Sequence, residues 1–177
     1  MRAGYGSANP VRRVAGRASL RYRIFSSKTR YLARNPMPNN RPLSVQLPFP
    51  PATYDIDFEG HVNNIVYIRW MEDLRIHWLE TWFPLRPRVE AGIAPALTHT
   101  EIDYIRPIRL FQNVKGFCWV EKLEKVRMYL AFEWIADGEV AARGRQTGVW
   151  IRIDGGRPVR VPAELRELVA QTTDEDE

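Results

Sequence analysis

The sequence predicts an α+β fold: one domain in which a five-stranded antiparallel sheet wraps around a long central helix. Three observations lead there. The element signals run strand, long helix, then four strands in succession, the order of a helix-bearing antiparallel sheet rather than of alternating βαβ units. The helix signal carries an apolar stripe too wide for a single contact face, so it calls for a sheet curled around it. The chain has 177 residues, 45% of them hydrophobic, which is enough for one core without disulfides or a structural metal. A doubly wound nucleotide fold is excluded, because no Gly-rich phosphate loop follows any strand signal.

The elements follow in order. Leu43, Val45, Leu47 and Phe49 alternate with polar or small residues, a half-buried strand that Pro48, Pro50 and Pro51 end or confine to an edge. A polar loop from Tyr54 to His61 contains Gly60. Asn63 is a good N-cap for a helix reaching about Phe83, and Pro84 and Pro87 stop it. Along that helix Ile68, Met71, Leu74 or Arg75, Trp78, Leu79 and Trp82 recur at helical spacing. Strands are expected at Ala96 to Ile105, closed by Pro107, then at Val114 to Leu123, at Val126 to Trp134 and at Val140 to Ile153. Asp137-Gly138 reads as the hairpin turn between the last two. A short helix begins near Pro162, where proline suits a first turn. The expected domain organisation is a basic, disordered extension over 1–42, the folded domain over 43–170 and an acidic tail over 171–177.

Charge divides along that organisation. Residues 1–42 hold ten basic side chains and no acid, since the first carboxylate is Asp55. Residues 43–177 keep 16 basic against all 21 acidic groups, a net of −5. The folded part is therefore mildly acidic, which argues against nucleic-acid binding as its task. An acid-free, Arg-rich, Ser-containing extension fits three readings. It is an over-extended or dispensable segment ahead of Met37, an organellar presequence, or a basic arm; the first is preferred, because Arg outnumbers Lys 22 to 4. The expected location is cytoplasmic, or mitochondrial or plastid under the presequence reading.

Other classes fall away on counts. One cysteine, Cys118, excludes an intrachain disulfide, and one Cys with three His excludes a Cys-rich zinc site. No apolar run approaches the length of a membrane span. Ser26 and Ser44 lie outside any G-x-S-x-G elbow. Cys118, between Phe117 and Trp119, reads as an inert core thiol, and His77 and His99 as structural side chains.

The chemically informative stretch runs from Tyr54 to Arg75, YDIDFEGHVNNIVYIRWMEDLR. It sets a carboxylate-rich loop immediately before a helix N-terminus. A helix start offers unpaired N–H groups and the positive end of its dipole, which polarise a carbonyl or hold an oxyanion. A nearby carboxylate attacks that carbonyl or deprotonates a water. Together they compose a site for acyl transfer or hydrolysis. A plain reading competes: acids before a helix are often caps, and Gly-Asn loops often ordinary turns.

The pattern D-x-D-x-x-G-H-V-N-N-x-x-Y followed by W-x-E-x-x-R resembles the hot-dog-fold acyl-CoA thioesterases of the 4-hydroxybenzoyl-CoA thioesterase type. The likeness continues in order through Asp103-Tyr104-Ile105-Arg106-Pro107, Asp137-Gly138-Glu139 to Ala142, and Arg157-Pro158 with Val161-Pro162-Ala163-Glu164-Leu165. It covers about residues 43–169 and leaves 1–42 without a counterpart.

The resemblance implies a single hot-dog domain that hydrolyses an acyl-CoA to free acid and CoA, with no metal or redox cofactor. Asp57, the second Asp of D-x-D, takes the place of the catalytic carboxylate, as nucleophile or general base. Asn64 takes the place of the residue whose backbone N–H polarises the thioester carbonyl. Gly60, His61, Val62, Asn63 and Tyr67 would order the loop or line the pocket. Glu72 would join them, although it also fits an ion pair with Arg75 or Arg69 at i,i+3 spacing. Asp55 is read as a loop or capping residue. The implied assembly is a homodimer with edge strands joined, or a homotetramer, with the site at the subunit interface and neither nucleic acid nor a membrane span involved. An acyl-carrier-protein thioesterase and a non-catalytic acyl-binding protein are the alternatives.

Overall fold

Hydrophobic periodicity places the helix and the sheet face to face. The structure, a computed structural model, describes residues 41–174. The basic extension expected over 1–42 therefore lies outside the described residues up to residue 40, as do residues 175–177 of the acidic tail. Five strands, β1 (Val45–Pro48), β2 (Ile93–Tyr104), β3 (Val114–Leu123), β4 (Arg127–Ala136) and β5 (Glu139–Arg152), form one sheet in the order β1-β3-β4-β5-β2, every pair antiparallel. Among the described residues three helices accompany it: α1 (Asn64–Trp82), α2 (Leu85–Glu90) and α3 (Ala163–Asp174). This is the hot-dog arrangement, a sheet folded about one long helix.

The core lies between α1 and the inner face of the sheet. Val66, Tyr67, Trp70, Met71, Leu74, Trp78 and Leu79 are the buried side of α1. They recur at steps of three and four, the spacing of one helical face. Opposite them stand Val114, Cys118 and Val120 of β3, Met128, Leu130, Phe132 and Trp134 of β4, and Ala142 and Trp150 of β5. Burying a Leu- or Met-sized side chain contributes about 1.5–3 kcal/mol relative to exposure, so α1 is held by packing rather than by intrinsic propensity. Glycines on the inner face admit the bulk: a Cβ at Gly116 would lie 2.5 Å from the Phe49 ring and 3.1 Å from Leu74. The indole N–H of Trp78 donates to the Leu43 carbonyl at 2.8 Å, tying the far half of α1 to the turn that leads into β1.

The N-cap at Asn63 and the stop at Pro84 stand where the sequence puts them. Asp137 and Gly138 both adopt positive φ, 50° and 87°, as a two-residue hairpin turn needs. Three points differ from the sequence reading. β2 starts at Ile93 rather than Ala96 and runs through Pro95, which an edge strand tolerates because its missing N–H need not meet a neighbour. A short helix, α2, follows Pro84; Pro87 falls in its first turn, where no N–H is required. A single 3-10 turn, Thr53–Asp55, leads into the polar loop.

Candidate active site

The loop before α1 is built by its own backbone. Ile56 and Val62 form an isolated antiparallel bridge, which closes residues 57–61 into a small turn. Inside it Asp57 N–H donates to the His61 carbonyl at 2.8 Å, and Gly60 N–H donates to the Asp57 carbonyl at 3.0 Å. Gly60 has φ +75°, the left-handed conformation that glycine adopts without a Cβ clash. The Asp57 side chain belongs to the same turn: its Oδ1 accepts from Glu59 N–H at 2.9 Å and from His61 N–H at 3.3 Å. Oδ2 takes no hydrogen bond among the described residues. One carboxylate oxygen is thus fixed by two amides while the other stays open.

The helix start is arranged in a complementary way. Asn63 N–H donates to the Asp55 carbonyl at 2.8 Å. The Asn63 side-chain oxygen accepts from Ile65 N–H at 3.0 Å, and its carbonyl accepts from Val66 N–H at 2.9 Å. The amide of Asn64, the first residue of α1, has no partner among the described residues. It is an open donor at the positive end of a 19-residue helix.

Asp55, the first of the loop's three acids, is differently engaged. Its side chain is buried, accepts from Ala52 N–H at 3.0 Å and pairs with the Arg69 guanidinium one turn into α1. It holds the loop to the helix, Glu59 stands exposed, and Asp57 is the loop's carboxylate with one oxygen anchored by two amides and the other open.

A second loop closes over this one. Val62 N–H donates to the Ile108 carbonyl at 2.8 Å, joining the turn to residues 105–113. A Cβ at Gly60 would lie 3.8 Å from Nη1 of Arg109. The Tyr104 hydroxyl donates to the Asn64 carbonyl at 3.4 Å, and its ring meets Tyr67 edge-on at 5.1 Å. Burial pushes both phenols above the ordinary tyrosine range, more strongly at Tyr67, where the Tyr104 oxygen adds a smaller push. Both therefore stay protonated donors at neutral pH. Tyr54, Phe58 and Ile65 stand almost wholly exposed around the turn, an apolar rim.

Asp57, Gly60 and His61 share the turn of residues 57–61, and Asn63 and Asn64 follow it directly as the cap and first residue of α1, with Tyr67 one helical turn behind. Val62 is buried in the core. The Nε2 of His61 is buried without a hydrogen-bond partner among the described residues. Glu72 is not part of the cluster: it lies eight residues beyond Asn64, about 12 Å along the helix, and pairs with Arg75. Sequence reasoning did not find Tyr104, Arg109 or the Asp55–Arg69 pair. The signal available for Tyr104 was its place in the Asp103-Tyr104-Ile105-Arg106-Pro107 segment. His99 stands exposed beside Glu101, and Cys118 is fully buried, its thiol pushed well above the usual range by desolvation.

Comparison with known proteins supplies the context for this geometry. The sequence pattern of the thioesterase-like superfamily matches residues 51–169. A thioesterase from Thermus thermophilus, solved with coenzyme A and zinc, is 29% identical with a TM-score of 0.65, covering 77% of this chain and 97% of its own. A DHNA-CoA thioesterase from Staphylococcus aureus is 21% identical with a TM-score of 0.67, covering 75% and 93%. A gentisyl-coenzyme A thioesterase is 21% identical with a TM-score of 0.62, covering 71% and 99%. At that identity the last two bear on the fold alone. No curated protein matches the sequence significantly.

Proposed function

The chain belongs to the thioesterase-like superfamily and is a thioester hydrolase, and from that premise we propose that it cleaves acyl-CoA thioesters to free acid and CoA, with Asp57 as the reactive carboxylate and the Asn64 amide as the carbonyl's partner. The observation that carries this reading is the pairing of openings in the turn of residues 57–61 and the helix start that follows it. Asp57 keeps Oδ2 free while its other oxygen is immobilised, and Asn64 keeps its N–H free while Asn63 satisfies the next two amides of the helix.

The chemistry follows from these two groups. The thioester oxygen accepts from Asn64 N–H, and the helix dipole stabilises negative charge developing on it. The open Asp57 oxygen then attacks the carbonyl carbon, or takes a proton from a water that attacks it. In the first case the C–S bond breaks, CoA leaves as thiolate and water hydrolyses the resulting anhydride. In the second, the tetrahedral intermediate expels the thiolate directly. Both routes consume one water and yield the same acid and thiol. Gly60 permits the turn that aims the carboxylate, and Tyr104 steadies the helix start through the Asn64 carbonyl. A homodimer is part of the proposal, supported by the length of β2, twelve residues at the sheet edge.

A thiol-release assay over short, medium, long and aromatic acyl-CoAs tests the reading, with Asp57→Asn beside the natural chain. Release by the natural chain, with kcat lower by about 10² or more in the variant and an unchanged melting temperature, is expected. Full activity in the variant would remove Asp57 from the chemistry.

A further inference from the structure

A second feature lies farther along α1. A cleft of about 260 Å³ opens between its second half and the sheet, walled by Ile76 and Leu79 of α1, Pro95 and Leu97 of β2, Met128 of β4 and Gly148 of β5. Glu72, with its side chain 52% exposed, stands at its mouth and pairs with Arg75, 15% exposed, which donates to the buried Gln146 amide oxygen at 3.0 Å. The one guanidinium of the lining is thus paired with a carboxylate and an amide oxygen, and the other walls are mostly apolar. Such a space suits a hydrocarbon and not an anion.

The cleft is in line with the candidate active site. Asn64, Ile68, Glu72, Arg75 and Leu79 fall on one face of α1, within about a quarter-turn of arc. Ile68, midway between Asn64 and the cleft mouth, is 45% exposed although apolar, a surface that a hydrocarbon laid along the helix would cover. From Asn64 to Glu72 the helix rises about 12 Å. An extended alkyl chain advances about 1.25 Å per methylene, given C–C bonds of about 1.5 Å. The mouth therefore lies some nine or ten carbons from the thioester. The cleft beyond, of about 260 Å³, is left for the carbons past that point.

We propose that this cleft receives the distal half of a long aliphatic acyl chain, and that Gly148 keeps it open and so sets the preferred chain length. The proposal rests on the thioesterase reading above and gives its substrate class. Gly148 stands on the inner face of β5, and a Cβ there would meet nothing closer than the Ala96 carbonyl oxygen at 3.8 Å and the Met128 carbonyl oxygen at 3.9 Å. Its backbone is not in the positive-φ region. A larger side chain at 148 is accepted by the backbone, and its bulk is directed into the cleft.

The experiment compares kcat/KM for octanoyl- and palmitoyl-CoA in the full chain, Gly148→Leu and Ile76→Trp, the last narrowing the cleft from the helix wall if the first does not fold. Myristate binding by calorimetry runs in parallel. The palmitoyl-to-octanoyl ratio is expected to fall at least tenfold in either variant, because an eight-carbon chain stops short of the mouth. Myristate is expected to bind the natural chain and to bind the variants at least tenfold more weakly. An unaltered ratio in folded variants, or absence of myristate binding to the natural chain, overturns the proposal. No hydrolysis of any acyl-CoA by the natural chain sinks the hydrolytic reading instead, and the cleft is then judged on the myristate result alone.

Discussion

Asn63 caps the central helix at Ile65, two residues on, its side-chain oxygen 3.0 Å from that amide. Because the cap reaches past Asn64, the first amide of the helix is left without a partner among the described residues. A cap and an electrophilic donor are thus made by adjacent residues, and the stability of one maintains the availability of the other.

Asn64→Pro isolates that amide. Proline is well accepted at the first helical position, and Asn63 already holds the extended backbone, φ −61° and ψ 143°, that a following proline requires. The variant is expected to keep its far-UV circular dichroism and melting temperature while kcat drops about 10²-fold, the typical cost of one oxyanion donor. A loss of helix instead would show that the amide serves folding.

The Asp55–Arg69 pair is expected to matter for stability more than for chemistry. Asp55 is buried, whereas the Arg69 side chain is 52% exposed, so the pair is only partly desolvated. Arg69→Met should cost about 1–3 kcal/mol in urea unfolding, since it strands a buried acceptor. The double variant with Asp55→Asn should cost less than the two single costs added. Strict additivity would mean that the two side chains do not interact.

Gly116→Ala tests the closeness of the core. The added carbon would overlap the Phe49 ring at 2.5 Å. Overpacking of this kind costs about 1–3 kcal/mol, and a stability equal to that of the natural chain would show that Phe49 moves aside freely.

Asp103 gives stability a pH dependence of known sign. Burial raises its carboxyl above the ordinary range, and Glu101 adds to the effect against the opposing charges of Arg145 and Arg143. A folded pKa above the unfolded one stabilises the protein below the unfolded value, near 3.9, and that contribution is lost as pH rises through the folded pKa. At pH 7 the ionised side chain opposes folding. Asp103→Asn should therefore melt higher than the natural chain at pH 7, with the gap closing toward pH 3. A lower melting point at pH 7 would mean that the arginines outweigh burial.

What was legible in the sequence was local. The Asn63 cap, the stop at Pro84 and the turn at Asp137-Gly138 each follow from one residue's backbone preferences, and the alternation from Met128 to Trp134 marks a strand by itself. The turn around Asp57 was legible because its partners lie within four residues. Asp55 and Arg69 are fourteen residues apart, on a loop and a helix, and no spacing rule joins them. The start of β2 has no local mark, since Gly92 and Pro95 disfavour a strand, and pairing of Ile93 with Arg152 supplies it from outside. The cleft draws its walls from α1, β2, β4 and β5, so it exists only once the sheet is closed.

The sheet order has a consequence for biosynthesis. Among the described residues β2 pairs only with β5, from Tyr104 with Ala142 to Ile93 with Arg152. A ribosome adding about 5–20 residues per second delivers each such partner roughly two to twelve seconds later. During that interval β3 and β4 already have one another as neighbours, whereas the longer edge strand waits in the nascent chain with its pairing groups exposed. Chaperone engagement with the emerging polypeptide is therefore expected to concentrate on residues 93–104 and to cease when Glu139 to Arg152 leave the tunnel.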